Sequence, residues 1–481
     1  MTTKNINMDS IILSSGVRFG TSGVRGLVRS MSDEVCYAYT TAFLQALVSS
    51  VGKVVLGHDL RPSSPRIAAA CASAITDAGG EVIYAGALPT PALAYYAKFI
   101  NAPAIIVTGS HIPFDRNGIK FYRAEGEISK RDEYAIEHAE FQILDQQITA
   151  QLPVLDRNVE VHYVKRYTDF IGSNYLKGFR VAIYEHSSVA RDLLATILKE
   201  LGVDVITLGR TDSFVPIDTE AVRPEDVVKA LSWAQEFKFD AIFSTDGDAD
   251  RPLIGDESGQ WLRGDVVGIL CAKFLEADVI VTPVSSSTLA EKSNWFAEVI
   301  RTRIGSPYVI AAMEQAQINT TDIVVGFEAN GGFLLGSNIS RNQKKLSSLP
   351  TRDAILPILA LLCLAKERNC KLSELTADLP SRATYSDRLQ NFQTEKSIAL
   401  LFSLQQDHQK TSQLIAPNSG EIASVNLTDG FRATFINGDI VHLRPSGNAP
   451  ELRCYAESDT PANAHLLCNH CLISVKNILN N

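Results

Sequence analysis

The sequence lacks the features that define several large classes of protein. Its eight cysteines are scattered without a paired framework, which is typical of a chain that folds in a reducing compartment. Lys and Arg total 45 against 54 for Asp and Glu, so there is no broad basic surface for nucleic acid. No apolar run reaches the roughly 18 residues of a membrane span. Residues 1–10 are polar and do not read as a secretory signal. We therefore expect a cytoplasmic protein that binds neither nucleic acid nor membranes. We also expect a monomer or homodimer, although composition does not determine the oligomeric state.

Several catalytic and nucleotide-binding motifs are also missing. The chain has neither a Gly-x-x-x-x-Gly-Lys-Ser/Thr loop nor a Gly-x-Gly-x-x-Gly fingerprint, so ATP and dinucleotide sites lose their usual support. A Gly-x-Ser-x-Gly elbow does not surround the candidate nucleophile described below. The pair Cys468 and Cys471 has zinc-like spacing. Because no second pair exists, we interpret it as part of a terminal amphipathic helix.

Three stretches of the chain repeat one order of elements. The repeated runs read KVVLG (53–57), EVIYAG (81–86) and APAIIVTGSH (102–111); FRVAIY (179–184), VDVITLG (203–209) and FDAIFSTDGDADR (239–251); and ADVIVTPV (277–284), EVIRTRIG (298–305) and TDIVVGFEANGG (321–332). Short runs rich in Val and Ile that alternate with helices predict buried, mostly parallel sheets. Each third run ends in a polar loop, where such folds place ligand sites.

The last hundred residues differ from these units. A helical stretch near 394–409 is followed by strand-like runs separated by Asp-Gly and Asn-Gly, which favour tight hairpins. We predict an α/β protein with three similar mixed domains, whose sheets are mostly parallel, and a smaller C-terminal α+β domain around a central cleft. The expected boundaries are 1–158, 159–262, 263–377 and 378–481.

The motif DGDADR places Asp246, Asp248 and Asp250 at alternate positions. Three carboxylates after a buried strand would repel one another without a cation, so the motif indicates a site for a hard divalent metal. An EF-hand is excluded because Arg251 and Pro252 occupy its sixth and seventh positions. A solvated acidic turn is the alternative.

The motif TGSHIP, followed by NGIK, carries the candidate nucleophile. Ser110 comes at a strand end, where its hydroxyl can carry a phosphoryl group. His111 and Lys120 are candidates for proton transfer or charge neutralisation. Serine in a glycine-containing loop is also a common turn former or helix cap, which leaves a structural alternative.

Three further loops offer ligand-binding groups. The RPSGN loop can wrap a phosphate with side chains and backbone N–H groups, and Arg453 either adds charge there or is a strand-surface residue. The FEANGG loop presents a carboxylate and an amide to a polyol, or is a plain hairpin. The FGTSGVRG stretch presents an arginine to an anion or to a neighbouring carboxylate. The residues concerned are Arg444, Ser446, Gly447, Asn448, Glu328, Asn330 and Arg25.

These five loops, in this order and from about residue 17 to 457, resemble those of the α-D-phosphohexomutase superfamily. The resemblance implies four domains around a central cleft, one Mg²⁺ per chain and a hexose phosphate substrate. It also implies a serine that is phosphorylated in the resting enzyme and a bisphosphohexose intermediate or activator.

Carried onto this sequence, the resemblance assigns roles residue by residue. It makes Ser110 the phosphoserine and a Mg²⁺ ligand through its phosphate, and it makes Asp246, Asp248 and Asp250 the other ligands. Arg251 would face the phosphoserine, and Lys120 is a candidate general acid or base. Sugar hydroxyls would meet Glu328 and Asn330, the non-reacting phosphate would meet Arg444, Ser446, Gly447 and Asn448, and Arg303 would take a basic position usually held by lysine.

The chain departs from the family's usual wording at several positions. Gly109 and Ile112 stand in a loop that usually reads TASHNP, and Asn448, Ala449 and Glu451 stand in one that usually reads RPSGTEPKLR. FEANGG replaces the GE(x)SGH of many relatives. Elsewhere DGDADRPLIGDESGQWLRGD and TRIGSPYV are most similar to bacterial phosphomannomutases, which implies interconversion of mannose 6-phosphate and mannose 1-phosphate. The alternative substrates are the phosphates of glucose, glucosamine and N-acetylglucosamine. The alternative functions are a phosphatase and a non-catalytic relative that only binds.

Overall fold

The structure is a computed structural model that describes residues 3–20, 22–48, 50–144, 151–318, 320–446 and 450–480. Within these ranges the chain forms three α/β units and a fourth, antiparallel unit. The predicted fold class is confirmed. The domain boundaries stay a prediction.

The first unit is a six-stranded sheet with helices. Its elements are β1 (Thr3–Asn7), α1 (Met8–Ser15), β2 (Arg18–Phe19), β3 (Val24–Leu27), α2 (Asp33–Leu47), β4 (Lys53–His58), α3 (Ser64–Asp77), β5 (Glu81–Ala87), α4 (Thr90–Phe99), β6 (Ala104–Val107), β7 (Arg116–Tyr122), α5 (Lys130–Glu137) and β8 (Glu140–Leu144). The strand order is β2-β3-β7-β6-β4-β5, and β1 pairs with β8 separately. Strand β4 runs parallel to β5 and β6, whereas β7 returns antiparallel to β6.

The second and third units repeat this arrangement. The second has α6 (Asn158–Ile171), β9 (Arg180–Tyr184), α7 (Arg191–Glu200), β10 (Asp204–Leu208), α8 (Pro224–Phe237), β11 (Ala241–Thr245) and β12 (Pro252–Gly255). The third has α9 (Gly264–Phe274), β13 (Val279–Pro283), α10 (Leu289–Lys292), β14 (Glu298–Thr302), α11 (Ser306–Ala316), β15 (Val324–Phe327), β16 (Phe333–Leu335), β17 (Ile339–Arg341), β18 (Lys344–Leu346), β19 (Leu349–Asp353), α12 (Ile355–Arg368) and a 3₁₀ turn (Leu372–Thr376). Their main sheets have the orders β10-β9-β11-β12 and β14-β13-β15-β16-β19.

The fourth unit is an antiparallel sheet of order β20-β24-β23-β22-β21. It has β20 (Ala383–Gln390), α13 (Thr394–Leu404), α14 (His408–Ile415), β21 (Ile422–Asn426), β22 (Phe431–Phe435), β23 (Ile440–Pro445), β24 (Glu451–Ser458) and α15 (Pro461–Asn480). The helical stretch predicted near 394–409 is two helices, because Asp407 caps α14 by accepting from the Lys410 N–H. Cys468 and Cys471 lie on α15, buried in this unit's core.

One apolar cluster spans the three α/β units, each of which has a further cluster of its own, and the fourth unit has a separate core. Polar contacts also join the units: the hydroxyls of Tyr163 and Tyr167 both donate to the buried carboxylate of Asp353. Within the described residues no helix is both long and apolar enough to cross a membrane.

The polar loop of each α/β unit occupies the same place in its sheet. Each follows the third parallel strand (β6, β11 or β15) and precedes an antiparallel return strand (β7, β12 or β16). The carboxyl ends of these strands were predicted to carry the site. The antiparallel return was not predicted, and it makes each loop the tip of a hairpin.

Candidate active site

Ser110 lies on the loop between β6 and β7 and is only 1% exposed. Its backbone φ is +52°, in the left-handed region that non-glycine residues seldom adopt and that concentrates at functional sites. Its hydroxyl donates to Asp246 Oδ2 over 2.6 Å, and its Oγ lies 3.3 Å from His111 Nδ1. The structure thus brings together the serine and aspartate loops that the sequence singled out.

Arg61 holds the backbone of the serine loop, the segment between β6 and β7. Sequence reasoning missed this residue. The fully buried guanidinium donates to the carbonyl oxygens of Ser110, Ile112, Pro113 and Arg116 over 2.5–2.9 Å. A single planar cation therefore satisfies four backbone acceptors that would otherwise face one another.

Arg61 is itself held from two sides. Asp59 Oδ2 lies 3.2 Å from its Nε and also accepts from the Thr108 hydroxyl and the Gly109 N–H. The ring of Phe214, from the second unit, lies 4.0 Å from the guanidinium carbon. A Cβ on Gly109 would come within 2.6 Å of the guanidinium, which explains why glycine stands at this departure from the family pattern.

Asp246, Asp248 and Asp250 are 0–1% exposed, and one ligand oxygen from each lies within 4.8 Å of the others. Two of these carboxylates, at 248 and 250, keep a buried Oδ1 without a hydrogen-bond partner in the described part of the chain. Ala249, between them, has a φ of +57°. The loop is thus bent so that alternate carboxylates converge.

The electrostatics of the triad fit a hard cation. Burial, together with repulsion from Asp248 and Asp250, raises the pKa of Asp246 well above its usual range. Burial alone would raise the pKa of Asp250, but Arg352, Lys120 and Arg251 hold it well below that range. Converging carboxylates with unsatisfied buried oxygens are the donor set that Mg²⁺ prefers.

Lys120 lies on β7, and its buried ammonium contacts Asp248 Oδ2 at 2.6 Å and Asp250 Oδ2 at 2.8 Å. Burial alone would lower the pKa of Lys120, but the two carboxylates raise it, so the charged form is favoured. Thr90, at the start of α4, donates its hydroxyl to Asp248 Oδ2 over 2.7 Å and its N–H to the Asp248 carbonyl. The first unit thus positions the aspartate loop of the second.

Arg251 links the aspartate loop back to the serine loop. Its Nη1 lies 2.9 Å from His111 Nδ1, and its Nε lies 3.5 Å from Asp250 Oδ1. Burial and the nearby cations Arg251 and Arg25 lower the pKa of His111 well below its usual range. An arginine can only donate, so Nδ1 of the neutral ring is the acceptor, and His111 holds the guanidinium beside Ser110.

The FEANGG loop connects β15 and β16, and the side chains of Glu328 and Asn330 are 4% and 8% exposed. Asn330 Oδ1 accepts from the Gly332 N–H over 2.9 Å, and the Asn330 carbonyl accepts from the Thr219 hydroxyl of the second unit. Glu328 Oε2 accepts from Arg352 over 3.2 Å. The first two contacts fix the loop's backbone, and the third fixes its carboxylate.

Arg352, at the end of β19, is a second residue that sequence reasoning missed. Its side chain is 3% exposed, and its Nη2 lies 2.7 Å from Asp250 Oδ2. Arg352 therefore contacts both the aspartate loop and the FEANGG loop. Arg25 on β3 adds a further cation: burial and repulsion from Arg251 and Arg352 lower its pKa to about 10.

The RPSGN loop follows β23, and its Gly447 and Asn448 lie outside the described residues. Ser446 is 7% exposed, and its N–H donates to the Glu451 carbonyl. Arg444 and Arg453 face each other across the strand pair, where Arg453 Nη2 lies 3.6 Å from Glu451 Oε2. Two arginines therefore flank the base of the loop.

Arg303 is exposed, and its Nε donates to the Thr428 carbonyl of the fourth unit. The carboxylate of Asp429 accepts from the Ile304 N–H at 3.0 Å, and its other oxygen lies 3.6 Å from Arg444 Nε. Arg303 is thus placed on the same side as the RPSGN loop, away from the contacts that join Ser110 to the aspartates.

Comparison with known families gives four matches along the chain. Residues 16–146, 162–259 and 263–383 match the alpha/beta/alpha domains I, II and III described as phosphoglucomutase/phosphomannomutase. Residues 403–470 match the C-terminal domain of the same description.

Individual relatives agree with these matches. The chain is 48% identical to a phosphomannomutase of Salmonella muenchen over 99% of both chains. It is 45% identical to a phosphomannomutase of Sinorhizobium fredii, over 94% of this chain and 97% of the relative. A phosphoglucosamine mutase of Thermodesulfovibrio yellowstonii is 28% identical over 92% and 95%. Identity is therefore higher to these phosphomannomutases than to that phosphoglucosamine mutase.

Among solved structures, a phosphoglucomutase/phosphomannomutase family protein from Burkholderia thailandensis superposes with a TM-score of 0.75. Its sequence is 20% identical, and the alignment covers 98% of each chain. This likeness establishes a shared fold over nearly the whole length.

Proposed function

This chain belongs to the phosphoglucomutase/phosphomannomutase family, and from that premise we propose that it interconverts mannose 6-phosphate and mannose 1-phosphate through a phosphoserine at Ser110. The observation that carries the proposal is the contact of the buried Ser110 hydroxyl with a buried triad of aspartates. The choice of mannose rests on the 48% and 45% identity to phosphomannomutases.

The reaction has two phosphoryl transfers. In the first, the Oγ–P bond of phosphoserine breaks and phosphorus bonds to the free hydroxyl oxygen of the sugar monophosphate; that hydroxyl loses a proton and Ser110 Oγ takes one up. In the second, the bisphosphate has turned over, and the bond between its other phosphorus and the sugar oxygen breaks; the phosphoryl group bonds to Ser110 Oγ, which loses its proton, and the sugar oxygen takes one up. One serine and one phosphate-binding loop then serve both orientations.

The chain's own residues supply positioning and charge, which dominate catalysis of phosphoryl transfer. Arg251, held by His111, would neutralise the phosphoryl group on Ser110. Lys120 stays charged beside Asp248 and Asp250, so we propose that it donates a proton to the oxygen that leaves.

Asp246, Asp248 and Asp250 would hold one Mg²⁺, with the phosphate of Ser110 as a further ligand. When bound, Mg²⁺ supplies positive charge that neutralises the transferring phosphoryl group. The two buried Oδ1 atoms of this loop that accept no hydrogen bond from the described residues support the assignment.

The remaining loops would bind the substrate. We propose that Glu328 and Asn330 bind sugar hydroxyls, and that Arg25 and Arg303 contribute to substrate binding. The non-reacting phosphate would be held by the RPSGN loop and the arginines at its base, namely Arg444, Ser446, Gly447, Asn448 and Arg453. A monomeric or homodimeric state and a cytoplasmic location stay predictions.

The test is a panel of the 1-phosphates of mannose, glucose, glucosamine and N-acetylglucosamine, each with Mg²⁺ and a bisphosphohexose activator. We expect the highest kcat/KM for mannose 1-phosphate. A higher value for any other sugar contradicts the substrate choice, and release of free phosphate faster than isomerisation indicates a phosphatase instead.

A serine variant tests the phosphoryl carrier separately. Ser110→Ala should abolish turnover and the added phosphate in the intact mass, whereas Ser258→Ala, on a turn outside the site, should change neither. Wild-type protein that never carries phosphate on Ser110 and never turns over with activator would favour the non-catalytic relative.

A further inference from the structure

Arg352 connects two loops that the sequence treats as separate. We propose that it is a positioning residue, which locks Asp250 of the aspartate loop and Glu328 of the sugar loop into one arrangement, and that Gly332 is required because its missing side chain leaves room for Arg352. This inference deepens the proposed function and rests on it for the identity of the substrate.

The first step is the geometry of the guanidinium. Its Nη2 lies 2.7 Å from Asp250 Oδ2, and its Nη1 lies 3.2 Å from Glu328 Oε2. Both carboxylates and the arginine are at most 4% exposed. Charge-assisted bonds at a planar fork fix direction as well as distance, so each carboxylate can rotate little while the other is held.

The second step concerns which oxygen of Asp250 remains available. Oδ2 receives Lys120 at 2.8 Å and Arg352 at 2.7 Å. Oδ1 has no hydrogen-bond partner among the described residues. The two cations therefore occupy Oδ2, whereas Oδ1 has only the looser contact of Arg251 Nε at 3.5 Å and can still bind a ligand of the aspartate loop, which is how outer contacts orient a metal-binding carboxylate.

The third step is the space beside Gly332. A Cβ at this position would lie 2.6 Å from Arg352 Cδ and 2.9 Å from its Cγ. Gly332 is outside the left-handed region of φ, so its backbone would accept alanine. The closest atoms that a side chain at 332 would meet belong to the arginine, and Asn330 Oδ1 follows at 3.1 Å. The second glycine of FEANGG and the arginine of β19 thus form one feature, although 20 residues separate them in the sequence.

The consequence for substrate is indirect. Glu328 is the carboxylate proposed to bind sugar hydroxyls, and Arg352 holds one of its oxygens toward the metal loop. A sugar that bonds the other oxygen meets a carboxylate whose position is already set by Asp250. Preorganisation of this kind lowers the ordering cost of binding, so Arg352 should affect both Mg²⁺ affinity and the KM of the sugar phosphate.

The experiment compares wild type, Arg352→Met, Arg352→Lys, Arg352→Ala, Gly332→Ala and the double variant Gly332→Ala/Arg352→Ala. Mg²⁺ binding is measured by calorimetry without substrate, and KM and kcat are measured separately with mannose 1-phosphate. We expect Arg352→Met to weaken Mg²⁺ binding by about 10- to 100-fold, the usual effect of losing an outer contact, and to raise KM. Arg352→Lys should recover part of both, because it keeps one charged contact.

The Gly332→Ala variant distinguishes loss of the packing between Gly332 and Arg352 from loss of the arginine's charge. Gly332→Ala should weaken Mg²⁺ binding and raise KM even though every charge remains. Once Arg352 is alanine, the alanine at 332 should add less than about a twofold further change, since the Cγ and Cδ atoms that it would meet are gone. Fully additive effects of the two substitutions would refute the proposed pairing.

Arg166→Met is the matched control, because Arg166 is a 6% exposed arginine that contacts Ser347 away from the site. It should leave Mg²⁺ affinity unchanged. Wild-type affinity and KM in Arg352→Met would overturn the inference. If Arg352→Met does not fold, Arg352→Lys and Gly332→Ala carry the same test. A wild type that turns over none of the sugars would refute the proposed function instead, and the Mg²⁺ measurement would still decide the role of Arg352.

Discussion

Replacing Arg61 by methionine should loosen the serine loop without altering any group proposed to touch substrate. Arg61→Met removes four donated hydrogen bonds to the loop carbonyls and leaves the buried Asp59 without its cation. Methionine keeps the apolar stem but loses the guanidinium that lies over the Phe214 ring, so the loss is mainly of polar and cation–π contacts.

The magnitude follows from these contacts. Breaking a buried ion pair by removing one partner costs about 3–5 kcal/mol. Asp59 still accepts from the Arg61 N–H and the hydroxyls of Ser64 and Thr108, which keeps its charge partly compensated. We therefore expect the low end, about 3 kcal/mol of local stability, which is roughly a 100-fold change in an opening equilibrium.

The assay is hydrogen exchange of peptides that cover residues 104–122. The amides of Thr108, Ile112 and Arg116 close the loop through bonds to the carbonyls of Gly118, Gly109 and Pro113, and they should exchange about 100-fold faster in Arg61→Met. Peptides from β23 and β24 in the fourth unit should be unchanged. The kcat should fall by about 100-fold if the serine shifts by an ångström. Unchanged exchange across 104–122 would refute the role assigned to Arg61.

Three further predictions concern other parts of the chain. Asp250→Asn should weaken Mg²⁺ binding at least about tenfold, whereas Asp256→Asn, in the turn after β12, should not; calorimetry compares them. Ala249→Gly should raise the free energy of unfolding in urea by up to about 1 kcal/mol, because glycine relieves the left-handed φ of +57°, and a decrease would contradict this. Burial lowers the pKa of His442 from 6.5 to about 4. The unfolded chain therefore binds a proton at this histidine more readily than the folded one. As a result, the free energy of unfolding falls as the pH drops from 6.5 toward 4. The loss between pH 7 and 5 is about 2 kcal/mol, and His442→Gln should show a correspondingly smaller decrease.

The sequence was sufficient to predict the repeated strands and the position of the loops. Runs such as KVVLG and AIFST are short, apolar and rich in β-formers, so their state depends on local pattern and burial, and they became β4 and β11. The return strands β7, β12 and β16 were not predicted as separate strands. Each follows a polar motif directly and shows no distinct pattern of alternating apolar and polar residues.

The two arginines under the loops could not be found from pattern alone. Arg61 follows β4 and contacts Ser110, 49 residues later, while Arg352 lies 102 positions beyond Asp250 in the sequence. Because arginines are usually surface residues, nothing in the sequence indicates that either of these two is buried. The signals that could have indicated them were negative ones, namely the unexpected glycines at 109 and 332, whose missing side chains leave the space that these arginines fill.

The two arginines have a common role, which is to neutralise buried carboxylates around Ser110. The chain has an overall charge of −9, yet five cationic side chains converge on five buried carboxylates near the serine; the cations are Arg25, Arg61, Lys120, Arg251 and Arg352, and the carboxylates are Asp59, Asp246, Asp248, Asp250 and Glu328. With Asp246 ionised, the form that holds a metal ion, and His111 neutral, these ten side chains cancel in charge. A phosphoryl dianion on Ser110 would upset that balance by about two charges, which is the charge that one divalent cation restores. The site is therefore balanced for a phosphate and a metal together, and either one bound alone would leave about two uncompensated charges.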